Sequence, residues 1–274
     1  MEYILGNGGS EGEGSEGEGS DEATNDDKLR LVNKILLGGA SEQEKALWKF
    51  YTDHCIHEIL SFEFIDELSK ALLTEQQALL TQQQALLTLQ DETSEGGKFT
   101  ILELGAGSGV LASHLTRHVD SDTVTIVACD NFSSGIPTKA GCVTVDTCGY
   151  EEALDKYKPD VVLVSWMPSG VDFTAAIRKT KEVRQYVLVG EVDSSTCGDR
   201  WATWGVVPEI GCKRCKGEGC ERCDLGVYED TAKEWKGWER EELTDVSRLS
   251  ICRFDCAGGR EGGWSKTVRF TREM

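Results

Sequence analysis

The sequence of 274 residues predicts an α/β protein built on a seven-stranded, mostly parallel, doubly wound sheet. From residue 98 onward, apolar runs of strand length alternate with helical segments, as in parallel sheets with crossover helices. The early runs are continuously apolar, as expected for strands that are covered on both faces. A glycine-rich loop follows the first run. The predicted strands are 99–104, 124–129, 142–145, 160–166, 186–191, 248–254 and 266–271.

Composition divides the chain into three parts. Residues 1–27 hold nine acids, no lysine or arginine, and two copies of Ser-Glu-Gly-Glu-Gly. Because such a tract cannot bury enough apolar surface to offset chain entropy, we expect a disordered acidic tail. Residues 28–97 are expected to form a helical extension, with one helix or two consecutive helices over 41–90. Residues 98–274 are expected to form the α/β domain.

The net charge of −19 limits the partners that the chain can bind. Outside the tail, 39 acids and 29 bases still leave a net charge of −10. A broad nucleic-acid interface or an anionic membrane needs clustered cations, so neither is expected as a partner. The sequence has no apolar run near the roughly 20 residues that span a bilayer, and its start lacks signal-peptide features. We therefore expect a cytoplasmic or nuclear protein whose eleven cysteines are reduced.

The helical extension ends in three copies of a seven-residue unit, Ala-Leu-Leu-Thr-X-Gln-X, over residues 71–91. A coiled coil needs apolar residues at two positions of each heptad, but Glu75 and Gln82 stand at the second position. Two interpretations follow: a dimerisation helix, or a helix that packs one edge on its own domain. The half-formed seam favours the second.

His54 and His57 lie three residues apart on the predicted helix. They could bind a metal ion as a pair, or they could be ordinary side chains on the polar face of the helix.

The most specific pattern follows the first predicted strand, in the run Phe-Thr-Ile-Leu-Glu-Leu-Gly-Ala-Gly-Ser-Gly-Val. Gly105, Gly107 and Gly109 alternate there, and glycine allows a sharp turn and a close approach of the backbone to a ligand. A dinucleotide-binding turn has the pattern G-x-G-x-x-G/A, but Val110 stands at its last position. The residues instead fit G-x-G-x-G, with Glu103 two positions before the first glycine.

This run resembles the first motif of the class I S-adenosylmethionine-dependent methyltransferases, which have a Rossmann-like fold. The next predicted strand ends in Asp130, where the family's second motif carries an acid for the ribose hydroxyls. The resemblance covers about 98–272 and implies S-adenosylmethionine as the cofactor. It implies contacts to the ammonium group from Glu103, to the amino acid end from the glycines, to the ribose from Asp130, and to the adenine from the residues beyond. The implied cofactor-binding residues are Glu103, Gly105, Gly107, Gly109, Asp130, Asn131 and Asp146.

The residues on the acceptor side are less defined. The fourth predicted strand ends in Ser-Trp-Met-Pro, which keeps the serine and one proline of the family's Asp/Asn/Ser-Pro-Pro-aromatic motif but not their order. Trp166 is a candidate for an aromatic wall beside the sulfonium of the cofactor. Glu191 and Asp193, at the end of the fifth strand, are candidates to orient a cationic or nitrogenous acceptor or to take its proton. Core packing and helix capping would explain the same three residues.

The resemblance implies an S-adenosylmethionine-dependent methyltransferase that acts on a protein or a small molecule. The nonstandard Ser-Trp-Met-Pro motif keeps a second hypothesis open, in which a catalytically inactive methyltransferase-like scaffold acts as an interaction protein. The intact glycines and acids of the first two motifs favour the enzyme.

Four cysteines form the pattern C-x2-C-x4-C-x2-C inside an insertion at 209–228. They are Cys212, Cys215, Cys220 and Cys223. Each C-x-x-C pair can bring two thiolates to one ion, and four thiolates make a closed tetrahedral zinc site of the structural kind. The first half also resembles one C-x-x-C-x-G-x-G unit of the zinc region of DnaJ-type chaperones. A redox dithiol is the competing interpretation.

We expect the reduced protein to contain one zinc ion per chain by elemental analysis, because four thiolates complete the coordination of zinc. Replacing Cys215 by Ser should lower the zinc content, whereas Cys142→Ser, outside the cluster, should leave it unchanged. Less than one ion per chain in reduced wild-type protein would exclude the site.

Overall fold

The computed structural model describes residues 41–77, 98–136, 142–192, 196–206, 235–253 and 264–273. Its helices are α1 (Glu42–Asp53), α2 (Phe62–Leu72), α3 (Val110–Leu115), α4 (Tyr150–Tyr157), α5 (Thr174–Lys179) and α6 (Thr244–Leu249). Its strands are β1 (Glu58–Ile59), β2 (Phe99–Leu104), β3 (Val124–Asp130), β4 (Val145–Thr147), β5 (Val161–Ser165), β6 (Gln185–Glu191), β7 (Trp238–Glu242), β8 (Ile251–Cys252) and β9 (Ser265–Arg272).

Several predicted features lie outside the described residues. They are the acidic tail, the heptad-like repeat from residue 78 onward, Asp193, and the four cysteines Cys212, Cys215, Cys220 and Cys223. The expected domain boundaries therefore stay predictions.

Seven strands form one sheet in the order β4-β3-β2-β5-β6-β9-β7. The first five are parallel to their neighbours, and β9 runs antiparallel to both β6 and β7. The predicted α/β architecture with a mostly parallel sheet is confirmed. The chain winds outward in one direction from β2 to β4 and in the other from β5 to β6. Ligands of doubly wound folds bind where this reversal leaves a crevice, beyond the carboxyl ends of β2 and β5.

The prediction of a main-sheet strand over 248–254 is wrong. Residues 244–249 form α6, and β8 pairs with β1 in a separate two-stranded ribbon in which Glu58 opposes Cys252. One edge of the main sheet is β7, whose last four residues are exposed and charged. A charged edge strand resists pairing with another chain, but it carries no apolar run that would predict it. The third strand of the sequence prediction also shifts, from 142–145 to β4.

Helices cover both faces of the sheet. Side chains of α2, α3 and α6 form one buried cluster with alternate residues of the central strands, and side chains of α4 and α5 form another. In β5, Val161 and Leu163 join the first cluster while Val162 and Val164 join the second. All four side chains are essentially inaccessible to solvent. This two-sided burial confirms what the continuous apolar runs predict.

Of the two alternatives predicted for 41–90, the described residues show two consecutive helices, with a break near residue 54. α1 ends at Asp53, and the next turn contains Cys55 with φ 52°. α2 begins after Ser61, whose hydroxyl accepts a hydrogen bond from the Phe64 amide at 3.1 Å. His54 and His57 are therefore not on one helix face, which removes the geometry of an i, i+3 metal pair. Among the described helices, none is long and apolar enough to cross a membrane.

Two phenylalanines of α2, one buried and one exposed, allow a test of how this helix packs on the sheet. The Phe64 side chain is inaccessible to solvent, whereas the Phe62 side chain is 51% exposed. Phe64→Ala should lower the free energy of unfolding by about 3–5 kcal/mol, because it leaves a cavity in the core. Phe62→Ala should cost about 1 kcal/mol or less. Urea unfolding measures both, and equal losses would contradict the packing of α2 on the sheet.

Candidate functional site

The loop between β2 and α3 contains three glycines in the left-handed region. Their φ angles are 68° at Gly105, 54° at Gly107 and 75° at Gly109. Other residues rarely adopt these angles, which explains the alternation seen in the sequence. Crowding adds a second reason at Gly109, because a Cβ atom there would lie 2.8 Å from Val145 Cγ2. The chain therefore turns sharply after β2, and its glycines place no side chains in the turn.

Asp130 holds this loop in place from the end of the neighbouring strand β3. Its Oδ2 atom accepts a hydrogen bond from the Gly107 amide at 2.8 Å. Its Oδ1 atom accepts one from the Phe132 amide at 2.5 Å. The carboxylate therefore links the two loops that follow the adjacent parallel strands β2 and β3.

Glu103 is buried below the loop, with 3% of its surface exposed. Its Oε2 atom accepts a hydrogen bond from the Ala112 amide at 2.9 Å. Burial disfavours the charged form and raises the pKa of Glu103 to about 8. The hydrogen bond from the Ala112 amide lowers this pKa, and the negative charge of Asp130 raises it further. The carboxyl group is thus mainly protonated at neutral pH while no cation is near it.

A cavity of about 370 Å³ opens beside the loop at the reversal point of the sheet. Its loop side is formed by Glu103, Gly105, Ala106, Gly107, Ser108, Val110, Leu111 and Ile136. Its opposite side is formed by residues 53–58, Leu60, Ser165 and Trp166. The first motif of the sequence therefore shares one cavity with the end of β5 and with the segment that joins α1 to β1.

Trp166 forms a fixed part of this cavity. Its backbone has φ 57°, and its amide donates to the Val189 carbonyl at 2.8 Å. Its indole Nε1 atom donates to Glu58 Oε2 at 2.8 Å. The ring centroid lies 5.5 Å from that of His57. Both the backbone and the ring of Trp166 are thus held in place.

Among the described residues, the predicted site residues Gly109, Asp130, Asn131, Asp146 and Glu191 do not line the cavity. The side chain of Glu191 is fully buried at the end of β6. Asn131 is exposed, and its Oδ1 atom accepts from the Ser133 amide at 3.0 Å. Asp146 Oδ2 accepts from Lys156 Nζ at 2.5 Å and from the Tyr157 hydroxyl at 2.7 Å. Asp130 meets the loop through its hydrogen bond to the Gly107 amide and does not itself line the cavity.

Sequence reasoning missed Glu58 as a site residue and placed His57 on a helix. Glu58 is 8% exposed and lies 108 residues from its partner Trp166 in the chain. Burial and the charge of Arg253 lower the pKa of His57 to about 4, so this imidazole is neutral at pH 7. A buried acid in a segment with helical periodicity gives no local signal, and only the fold brings it to Trp166.

No metal centre is found among the residues that the structure describes. Within these ranges, no group of three or more His, Cys, Asp or Glu side chains could hold a metal ion. The predicted zinc ligands lie outside these ranges, so the spacing of the four cysteines remains the argument for that site.

No family model matches the chain, and no curated protein matches it. The solved structures to which it is similar include several methyltransferases. The CurJ carbon methyltransferase is 12% identical, with a TM-score of 0.36 over 67% of this chain. The DszA carbon methyltransferase is 14% identical and the plantazolicin methyltransferase BpumL, solved with S-adenosylhomocysteine, is 11% identical. Each of these two has a TM-score of 0.40 over 90% of this chain.

The chain spans 51% of the CurJ structure, 66% of the DszA structure and 95% of the BpumL structure. With TM-scores of 0.40 or less, these likenesses carry no argument about function. The function is therefore argued from the site.

The raised pKa of Glu103 predicts how stability depends on pH. The pKa of Glu103 is about 4.5 in the unfolded chain and about 8 in the folded protein. Between these two pH values the folded state binds a proton that the unfolded state has lost, so stability falls as pH rises. Glu103→Gln should remove this part of the slope, because an amide does not titrate. Urea unfolding at several pH values between about 5 and 9 measures the difference. The exposed Glu151→Gln is the control, and a slope in Glu103→Gln equal to that of the wild type would contradict the burial of Glu103.

Proposed function

We propose that the protein is an S-adenosylmethionine-dependent methyltransferase that acts on a protein or a small-molecule acceptor. The observation that carries the proposal is the left-handed glycine loop, held by Asp130, beside a cavity at the reversal point of the sheet. The cavity reaches both the loop after β2 and the end of β5, so one site can hold a cofactor and an acceptor.

The residues present fit this cofactor. Gly105, Ala106 and Gly107 expose backbone to the cavity, which allows the amino acid end to lie close to the loop. Glu103 is a buried acid that a bound ammonium group would favour in its charged form. Each carboxylate oxygen of Asp130 accepts one amide hydrogen bond, and a carboxylate has about four acceptor sites, which leaves capacity for the ribose hydroxyls. When bound, the cofactor supplies an electrophilic methyl group.

On the acceptor side, the proposal assigns contact with the acceptor to Trp166. An aromatic ring beside a sulfonium favours it electrostatically and keeps water out of the site. Glu191 does not line the cavity and receives no role here. Asp193 stays a prediction, as do Asn131 and Asp146 at the adenine end.

We propose the Cys212–Cys223 cluster as a separate structural zinc site. The spacing of its two C-x-x-C pairs supports zinc.

Calorimetry with S-adenosylmethionine tests the cofactor assignment. The wild type should bind, and Asp130→Ala should weaken binding about tenfold or more, because it removes both the ribose acceptor and the hydrogen bond to Gly107. Asp130→Asn should fall between them, since its amide oxygen can still accept from Gly107. The exposed Asp155→Ala is the control. Absence of binding by the wild type, or binding unaffected by Asp130→Ala, would contradict the proposal.

Transfer of a labelled methyl group into a size-fractionated cell extract then separates an enzyme from a scaffold. Label should appear in a protein or a small-molecule fraction with the wild type and be reduced with Asp130→Ala. Cofactor binding with no label transferred in any fraction would favour the inactive scaffold instead.

A further inference from the structure

One half of the cavity is formed by residues that, apart from Trp166, the cofactor assignment does not use. We call this half the acceptor wall and define it as residues 53–58 together with Ser165 and Trp166. The wall is attached to the folded core. α2 follows it and packs on the sheet, β1 pairs with β8, and the Arg253 amide donates to the His57 carbonyl at 3.0 Å. The acceptor wall therefore has a defined shape before any acceptor binds.

The described residues that line the cavity include three acids and no lysine or arginine, with Asp53 and Glu58 on the acceptor wall and Glu103 on the loop side. Glu103 is mainly protonated at neutral pH, and Asp53 is paired with Lys49. His57 adds no positive charge, because burial and Arg253 keep its imidazole neutral at pH 7. The attraction of a cation to the acceptor wall therefore depends on the carboxylate of Glu58.

Arg253 is the cation that lies close to the acceptor wall. Its guanidinium carbon lies 5.6 Å from the ring centroid of Trp48 and 5.8 Å from that of Trp166. It is not among the lining residues, although one of the two rings that it contacts, Trp166, lines the cavity.

The contact between Glu58 and Trp166 places a carboxyl group at the edge of an aromatic ring. The 2.8 Å hydrogen bond from Nε1 to Oε2 fixes both side chains, and the backbone of Trp166 is fixed by its bond to Val189. A ring face attracts a cation, and a carboxylate accepts strong charge-assisted hydrogen bonds from N–H donors. A carboxylate has neither an N–H donor for Glu58 nor a positive charge for the ring face, and a carbon nucleophile has neither as well.

We propose that the acceptor wall binds an amine, with Glu58 accepting a hydrogen bond from the nitrogen and Trp166 contacting it with the ring. The class of acceptor is a primary or secondary alkylamine, either free or on a side chain. This inference rests on the proposed function for its role in methyl transfer, but the binding of the amine can be measured without transfer.

The test is a ligand-observed NMR titration of the full chain saturated with S-adenosylhomocysteine. The probes are n-butylammonium chloride, n-butanol and sodium butyrate, which share a chain length and differ in charge. We expect n-butylammonium to bind more tightly than the other two. Equal or tighter binding of n-butanol or butyrate would overturn the proposal.

The same Glu→Gln substitution at two positions tests whether the amine binds at the acceptor wall. Glu58→Gln keeps an oxygen acceptor for the Trp166 indole but removes the charge, and it should weaken n-butylammonium binding about tenfold. Glu63→Gln, at an exposed position on α2, should bind as the wild type does. Unchanged n-butylammonium binding by a folded Glu58→Gln would overturn the proposal.

Thermal unfolding checks that Glu58→Gln is folded. If Glu58→Gln does not fold, Asp53→Asn is tested instead. Half of the Asp53 side chain is exposed and its ion pair with Lys49 lies on the surface, so this substitution should leave the fold intact. It should weaken n-butylammonium binding about twofold through the loss of one nearby charge. No change in that variant would then count against the proposal.

Calorimetry with S-adenosylmethionine on the same preparations separates this inference from the proposed function. Cofactor binding without n-butylammonium binding would overturn the amine site and leave the methyltransferase proposal standing. Without cofactor binding, the titration is run on the free chain. Binding of n-butylammonium that depends on Glu58 would then support the amine site while the methyltransferase proposal fails.

Discussion

The hydrogen bond from the Gly107 amide to the Asp130 carboxylate is the interaction on which the site depends. The loop after β2 has three left-handed glycines within five residues, and glycine loses more conformational freedom on folding than any other residue. A partner outside the loop must therefore select one of its many conformations. Asp130 provides it from the adjacent parallel strand, and its other oxygen orders the following turn at Phe132. The acid is structural before any ligand binds.

The burial of Glu103 follows from the same turn. The loop brings α3 back over the end of β2, and the Ala112 amide of that helix meets the Glu103 carboxyl group. One amide hydrogen bond does not offset the loss of water, so the carboxyl group holds a proton at neutral pH. A cation that enters the cavity would reverse this balance. Ligand charge and proton release are thereby coupled in the loop half of the site.

The sequence predicted what depends on local pattern and missed what depends on tertiary contact. The central strands and the glycine loop were predictable because continuous apolar runs and left-handed positions leave strong signals. β7 was missed because charged residues dominate it. Two consecutive helices were one of the predicted alternatives, but the position of the break after α1 was not predictable, because Cys55 adopts φ 52° with no glycine or proline to mark it. Glu58 could not be placed, since its partner Trp166 lies 108 residues away.

The two halves of the cavity are built by different parts of the chain, so one half can change while the other keeps its structure. The loop half comes from β2, its loop and α3, and it is held by Asp130. The acceptor wall depends on the ribbon of β1 and β8, which α6 joins to the core through the hydrogen bond from the Thr267 amide to Ser247 Oγ. Substitutions in the ribbon can therefore change the shape and charge of the acceptor wall while the glycine loop keeps its geometry. Under the proposed function, selectivity for the acceptor could then vary while the proposed cofactor site is kept.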